Sequence, residues 1–286
     1  MRLLNIGCGK RFHKDWINID KIPSHPSVKQ CDAEQGLPFP DSHFDVVYHS
    51  HILEHFELQD AKHFIKECYR VLKAKGVLRV AVPDLEQIVL CYLQTLQEIS
   101  HGNIRAQDDY NWIMLELYDQ VVRNSSGGQM VTFLNRASIP NRDFIVKRCG
   151  VVMENLMQHF KKSNSDQPEQ IPKKISRFSS YFLNPRSRIE KLREQLLKIL
   201  LGKEYRALKI GRFRSSGENH QWMYDRFSLH NLLDEFGFVD ILQRHALQSY
   251  IPNWSAFHLD TEHDGRIYKP DSLYMEAVKP GSTLSS

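Results

Sequence analysis

Apolar positions recur in two different rhythms along this chain. In the first 84 residues, short apolar runs of strand length stand between turn signals: Leu3 to Ile6, Trp16 to Asp20, Val28 to Cys31, Val46 to Tyr48 and Val77 to Val82. One longer stretch, Leu58 to Lys73, repeats at the helical period instead, with Ala61, Phe64, Ile65, Cys68 and Leu72 on one face. Lys73 and Lys75 near its end suit the negative pole of a helix dipole, and Gly76 ends the turn. Asp84 followed by Gln87 has the spacing of a capping box and predicts a helix start. Strand-length runs alternating with helical ones predict a parallel sheet with helices on both faces.

From Leu85 to about Gly211 the alternation stops. Helical periodicity covers Leu85 to Ile99, Asp109 to Val122, Phe144 to Lys161 and Arg188 to Leu201, the last ending at Gly202. Ser125 to Gly128 reads as a turn, and the polar, proline-containing Ser163 to Pro172 reads as a flexible loop. After residue 212 the earlier rhythm returns. A helix capped by Ser228 carries Leu229, Leu232, Leu233 and Phe236 and stops at Gly237. Strands follow at Phe238 to Ala246 and Ser272 to Val278. The pattern divides the chain into a core, residues 1–84 and 212–286, and a helical insertion, residues 85–211.

Composition changes this picture little. Of 286 residues, 41% are hydrophobic and 25% charged, as in an ordinary globular protein. No run approaches the ~20 apolar residues that span a bilayer. The chain opens directly on a strand, which leaves no room for a signal peptide, and the five cysteines show no Cys-x-x-Cys pairing. Both features fit a cytoplasmic protein with reduced thiols. Charge is more telling. Residues 141–214 carry 18 Lys and Arg against 7 Asp and Glu, a net of +11, which leaves −7 on the rest of the chain. Such a segment fits either an anionic partner or a set of solvated helix faces.

Candidate chemistry gathers where the strands end. The first apolar run stops at Gly7-Cys8-Gly9, a turn that lets a ligand approach the backbone closely. The second ends on Asp20, and in nucleotide-binding α/β folds an acid at that place accepts from ribose hydroxyls. Asp32 and His49 fall on the same sheet edge. His220, just before the returning helix, is a candidate base with Glu218 to orient it, and His49 and His51 are candidates of equal standing. The alternative for His220 is that Glu218, His220 and Trp222 pin the insertion to the core. His55 reads as a structural tie rather than a catalyst. The segment Asp260 to Tyr274 is a long loop placed to line an acceptor site. No metal site is expected: His49, His51 and His55 have ligand-like spacing, but the motif described next accounts for that stretch.

Leu4-Asn5-Ile6-Gly7-Cys8-Gly9, Leu37-Pro38-Phe39-Pro40-Asp41 with Phe44-Asp45-Val46-Val47, Leu53-Glu54-His55, and Leu72-Lys73-Ala74-Lys75-Gly76-Val77-Leu78 occur in this order within residues 1–85. Together they resemble the class I S-adenosylmethionine-dependent methyltransferases, in the subgroup whose consensus runs through "LPFPDxxFDxV…LEH". The resemblance implies an α/β, Rossmann-like sheet of order 3-2-1-4-5-7-6 whose last strand is antiparallel, with the helical insertion after strand 5. It implies S-adenosylmethionine as cofactor. Gly7, Cys8 and Gly9 would border its amino-acid end, Asp20 its ribose, Asp32 and Ala33 its adenine, and His49 and Ser50 its methionine portion. The reaction would be an in-line displacement in which positioning supplies most of the catalysis. Two departures stand out. Only ten residues separate Gly9 from Asp20, so the family's first helix must be missing or reduced to a turn. Lys10-Arg11 also stands where a third glycine is often found.

The acceptor is read as a sugar or other hydroxyl of a glycan or lipid-linked precursor, held under the insertion. Alternatives are a quinone or polyketide-like small molecule, or a protein that binds the cofactor without catalysis. The basic insertion would meet an anionic acceptor, or a membrane surface through the amphipathic Leu192–Leu201 stretch. A nucleic-acid partner is not expected, since no binding module of that kind is visible. A nicotinamide oxidoreductase is disfavoured because Gly-x-Gly-x-x-Gly fails at Phe12.

Overall fold

The structure is a computed structural model that describes residues 1–165 and 185–281. Seven strands form one sheet: β1 (Leu3–Ile6), β2 (Ile17–Asp20), β3 (Val28–Gln30), β4 (Phe44–Ser50), β5 (Leu72–Pro83), β6 (Val239–Arg244) and β7 (Ser272–Val278). Their order is β3-β2-β1-β4-β5-β7-β6, the order expected. The first five strands run parallel, and β7 lies antiparallel between β5 and β6. All four residues of β1 are buried, as a central parallel strand covered on both faces requires, which is why it reads as an unbroken apolar run.

Helix α1 (Leu58–Val71) packs on one face, where Phe64, Ile65 and Cys68 meet Leu4, Ile6 and Val47. The other face does not follow the expectation of helices on both sides. Leu3, Trp16, Val46 and Tyr48 are covered there by Ile251, Trp254 and Leu259 from the β6–β7 connection. Trp16, Tyr48, Trp254 and Phe257 meet edge to face, so aromatic rings do the work of the absent first helix. Between Gly9 and β2 the chain makes only turns, as the short spacing requires.

The Leu37–Asp41 motif is held from α1. Glu67 accepts from the Leu37 amide at 2.9 Å, and Arg70 donates to the Leu37 and Phe39 carbonyls at 2.9 and 2.8 Å and to Asp41 at 2.7 Å. Helix α1 stops at Val71, two residues earlier than its periodicity predicts, because Leu72 already pairs with Phe44 as the start of β5.

After β5 come α2 (Leu85–Ser100), α3 (Ala106–Val122), α4 (Gly128–Leu134), α5 (Arg142–Cys149) and α6 (Val151–Ser165). Asp84 caps α2 by accepting from the Gln87 amide. The single helix expected over Phe144–Lys161 is two, broken at Gly150, whose φ of +72° and contact with Pro270 and Tyr268 exclude a side chain. Helix α4 was not expected. Its first amides at Gln129 and Met130 are satisfied by the Asp119 carboxylate at 2.7 and 3.1 Å, a cap supplied from another helix. The expected Ser163–Pro172 loop is helical in its backbone through Ser165, and the rest of it lies outside the described residues.

Helix α7 (Pro185–Leu201) exposes Leu192, Leu196, Ile199 and Leu200, the amphipathic stretch seen in the sequence. Helix α8 (Tyr205–Arg214) follows it and was not anticipated. Helix α9 (Arg226–Glu235) is capped by Asp225, not Ser228. Asp225 accepts from the Ser228 amide at 2.7 Å while the Ser228 hydroxyl accepts from the Asp225 amide at 3.0 Å, a complete capping box.

Candidate active site

The site lies at the carboxyl edge of β1, β2 and β4, where three cavities meet. The first, about 270 Å³, is lined by Gly7, Asp20, Asp32, Ala33, Ile52 and Gly217 among others. The second, about 340 Å³, includes Cys8, Gly9, Arg11, Ser50, Tyr268 and Lys269. The third, about 250 Å³, lies under the helical segment and is bordered by Glu54, Glu116, Met130, His220, Lys269 and Asp271. His51 lines all three.

The glycine turn is built for close approach. Gly7 has a φ of +59°, and a Cβ there would fall 2.2 Å from the Ile52 side chain. Gly9 has a φ of +54° with nothing within 4 Å of a would-be Cβ, so its open side faces free space. Asp20 accepts from the amides of Gly9 and Ile22, both at 2.8 Å, one on each oxygen, which leaves a lone pair on each for a ligand. Asp32 lies across the same cavity, with Lys21 at 3.1 Å. Cys8 is nearly buried, and burial first, then Asp20, pushes its thiol up to about 12, so it is a neutral packing group here.

Arg11 was passed over in the sequence except as a missing glycine. It donates to the carbonyls of Leu259 and His258 at 3.0 and 2.6 Å and to Thr261, pairs with Glu262 at 2.8 Å, and lies 4.0 Å over the Tyr268 ring. The Asp260–Tyr274 loop is thereby drawn over the carboxyl edge of the sheet, and its Tyr268, Lys269 and Asp271 line the cavities. The missing glycine was itself the available signal.

The three histidines named as candidates separate. His49 points under the sheet. It is fully buried edge-on to Phe64 at 4.9 Å, both ring nitrogens lack partners, and burial lowers its pKa to about 4. It lines none of the three cavities, so the placement beside the methionine portion and the catalytic candidacy both fail on side-chain direction: in a strand, neighbours point to opposite faces. His51 has a φ of +55° and is engaged on both nitrogens, Nε2 at 2.8 Å from the Ser272 hydroxyl and Nδ1 at 3.1 Å from Glu54. His220 is nearly buried on the third cavity, and desolvation lowers its pKa to about 3.

Glu218 does not orient His220. It pairs with Arg123 at 3.2 Å and accepts from the Gly127 amide. The acid near His220 is Glu54, wholly buried and held at about 2 against its burial by His51 foremost among its neighbours. The Glu54 carbonyl accepts from the amides of Gln221 and Trp222, and His55 Nδ1 lies 3.2 Å from the Asn219 carbonyl. The loop after β4 is thus bonded directly to the segment carrying His220.

Residues 11–80 match a family model described as a methyltransferase domain. A protein of Mycobacterium tuberculosis named "Probable S-adenosylmethionine-dependent methyltransferase" is 44% identical over 61 residues, which cover 21% of this chain and 22% of that one. A similarly named protein of Mycolicibacterium smegmatis is 44% identical over 99 residues, covering 29% of this chain and 38% of that one. The chain therefore spans well under half the length of these relatives. A solved methyltransferase from Archaeoglobus fulgidus covers 97% of this chain and 86% of its own at 12% identity, with a TM-score of 0.37.

Proposed function

We propose that the chain is a class I S-adenosylmethionine-dependent methyltransferase, a reading supported by its match to a methyltransferase-domain model and to similarly named relatives, and that it transfers a methyl group from S-adenosylmethionine to a hydroxyl of a sugar or similar polyhydroxyl acceptor. One observation carries this reading: His51 borders at once the cavity holding Asp20 and the cavity under the helices, so the two ends of a transfer would meet beside it. The residues fit the cofactor. Asp20 offers one free lone pair per oxygen to ribose hydroxyls, Gly9 opens its backbone to the amino-acid end, and Asp32 with Ala33 borders the place for adenine. The cofactor supplies a methyl already activated on a sulfonium. The protein's task is then to place an acceptor oxygen in line and exclude water.

The third cavity supports a hydroxylated acceptor. Glu54, Glu116, Asp271, Gln120 and Lys269 offer hydrogen bonds around it, while Ile88, Met130, Met153 and Met223 supply an apolar side. A sugar ring presents both characters. A quinone would leave these carboxylates facing apolar atoms, at a desolvation cost.

The test is calorimetric titration of the full chain with S-adenosylmethionine and S-adenosylhomocysteine, with NAD as control. Micromolar binding of both adenosyl ligands is expected, about −8 kcal/mol, weakened about tenfold or more in Asp20→Ala. Binding of neither, or of NAD alone, would end this reading. Transfer of labelled methyl to simple and lipid-linked sugars, against a quinone panel, then decides the acceptor.

A further inference from the structure

The third cavity contains a set of donors of which the methyl-transfer reading uses only Glu54. Glu54, His55 and His220 each offer one ligand atom, and the three atoms lie within 4.8 Å of one another. Glu54 and His55 come from the short 3-10 turn Leu53–His55 after β4, and His220 comes from the irregular segment before α9. They therefore converge only through the fold.

Two of the three donors are in the state a cation needs, and the third lies against them. Glu54 is fully buried, and neither of its oxygens has an aligned hydrogen-bond donor; the nearest group is His51 Nδ1 at 3.1 Å. A buried carboxylate with only that contact is costly unless something positive completes it. His55 lies with Nδ1 3.2 Å from the Asn219 carbonyl. A carbonyl only accepts, so Nδ1 carries the proton and Nε2 presents its lone pair. This is the arrangement by which an outer carbonyl orients a ligating histidine. His220 meets the His55 ring edge-on, with centroids 4.8 Å apart and planes at 89°. Around the cavity, Glu116 is paired with Arg148 at 2.8 Å, which leaves Glu54 and Asp271 facing one ammonium, that of Lys269. The acidic surplus is what a bound cation would balance.

We propose that Glu54, His55 and His220 form a binding site for a first-row divalent cation such as zinc(II) or manganese(II). Two imidazole nitrogens and one carboxylate oxygen are donors that zinc and its first-row neighbours accept and that magnesium does not favour. Bond lengths of about 2.0–2.2 Å require the donors to draw in around the ion, and three protein ligands leave positions open for the cavity to fill. An acceptor hydroxyl bound there would ionise more readily. The site itself is independent of methyl transfer; that use of it rests on the function proposed above.

Chelator-treated full-length protein is titrated with zinc(II) and with manganese(II), with magnesium(II) as control. Wild type is expected to take one equivalent of zinc or manganese with micromolar or tighter affinity. His220→Gln and Glu54→Gln should each lose at least tenfold, while His63→Gln on the exposed side of α1 changes nothing. Equal affinity in all variants, or no binding by chelated wild type, would overturn the site. If a variant unfolds, cobalt(II)-loaded wild type replaces it: hyperfine-shifted ring-proton signals from two imidazoles support the site, and signals from fewer dismiss it. S-adenosylhomocysteine is titrated separately into metal-free protein. Failure of that binding alone would dismiss the proposed function and leave the cation site standing, and failure of the metal arm alone would do the reverse.

Discussion

His49 and His51 are two residues apart and have opposite fates. His49 sits in β4 against Phe64 with no partner on either nitrogen, and burial holds it neutral with a pKa lowered to about 4. His51 falls just after the strand, in a left-handed conformation, and turns into the site. The sequence showed both near the sheet edge but could not say which way each ring points, because that depends on where β4 ends. The His49 shift has a consequence for stability. An unfolded histidine takes a proton below its ordinary value of 6.5, and folded His49 does not until about 4. Stability is therefore full above pH 6.5 and falls as pH drops from 6.5 toward 4, by at most about 1.4 kcal/mol per pH unit from this group. His220, lowered to about 3, adds in the same direction. Urea unfolding at pH 7 and pH 5 should show a smaller loss in His49→Leu than in wild type. An unchanged difference would mean that His49 is not buried neutral.

At the scale of elements, the loop after β6 does what helices do in the expected plan. The short Gly9–Asp20 spacing told correctly that no helix fits there. It could not tell that Trp254, Ile251 and Leu259, more than 200 residues away, would cover the exposed face, because nothing local in those residues marks their partner. Arg11 is the link. With its bonds to Leu259, His258, Thr261 and Glu262, it fixes the loop that closes two of the cavities. Arg11→Ala should cost about 2 kcal/mol of stability and raise amide hydrogen exchange across residues 258–268 while leaving β4 and β5 protected. Unaltered exchange in the loop would remove Arg11 from this role. The helices show the same division. Periodicity found α1, whose apolar stripe faces the sheet, and α2, although Val89, Leu93 and Leu96 of its stripe are exposed, but ran α5 and α6 together, because the break at Gly150 comes from contact with Tyr268 and Pro270.

Over the whole molecule, one buried charge joins the β6–β7 connection to the sheet. Arg79, fully buried in β5, donates to Asp260 at 2.7 Å, to Glu276 at 2.8 Å and to the carbonyls of His245 and Gln248, and lies 4.4 Å over the Trp254 ring. Tyr48 donates to the same Asp260. Arg79→Ala would take the shared guanidinium from two buried carboxylates, leaving Asp260 with Tyr48 and Glu276 with Ser249, the Tyr250 amide and Arg244, and should destabilise by about 3 kcal/mol in urea unfolding; a loss under about 1 kcal/mol would mean water or relaxation replaces the guanidinium. The only trace of this network in the sequence is an arginine inside an apolar strand. The sheet order came through the resemblance to a known family, while the chain by itself determined the alternation of strands and helices, the glycine turn, the acid that ends β2, the acid that follows β3, and the missing first helix. Each of these is written in residues close together, where apolar period, turn chemistry and motif spacing act. The partners of Arg79, the choice of Glu54 over Glu218 beside His220, and the meeting of Glu54, His55 and His220 were decided only by tertiary structure. They join residues from about 160 to 200 positions apart, and only packing of the sheet against its late loops brings such side chains within bonding distance.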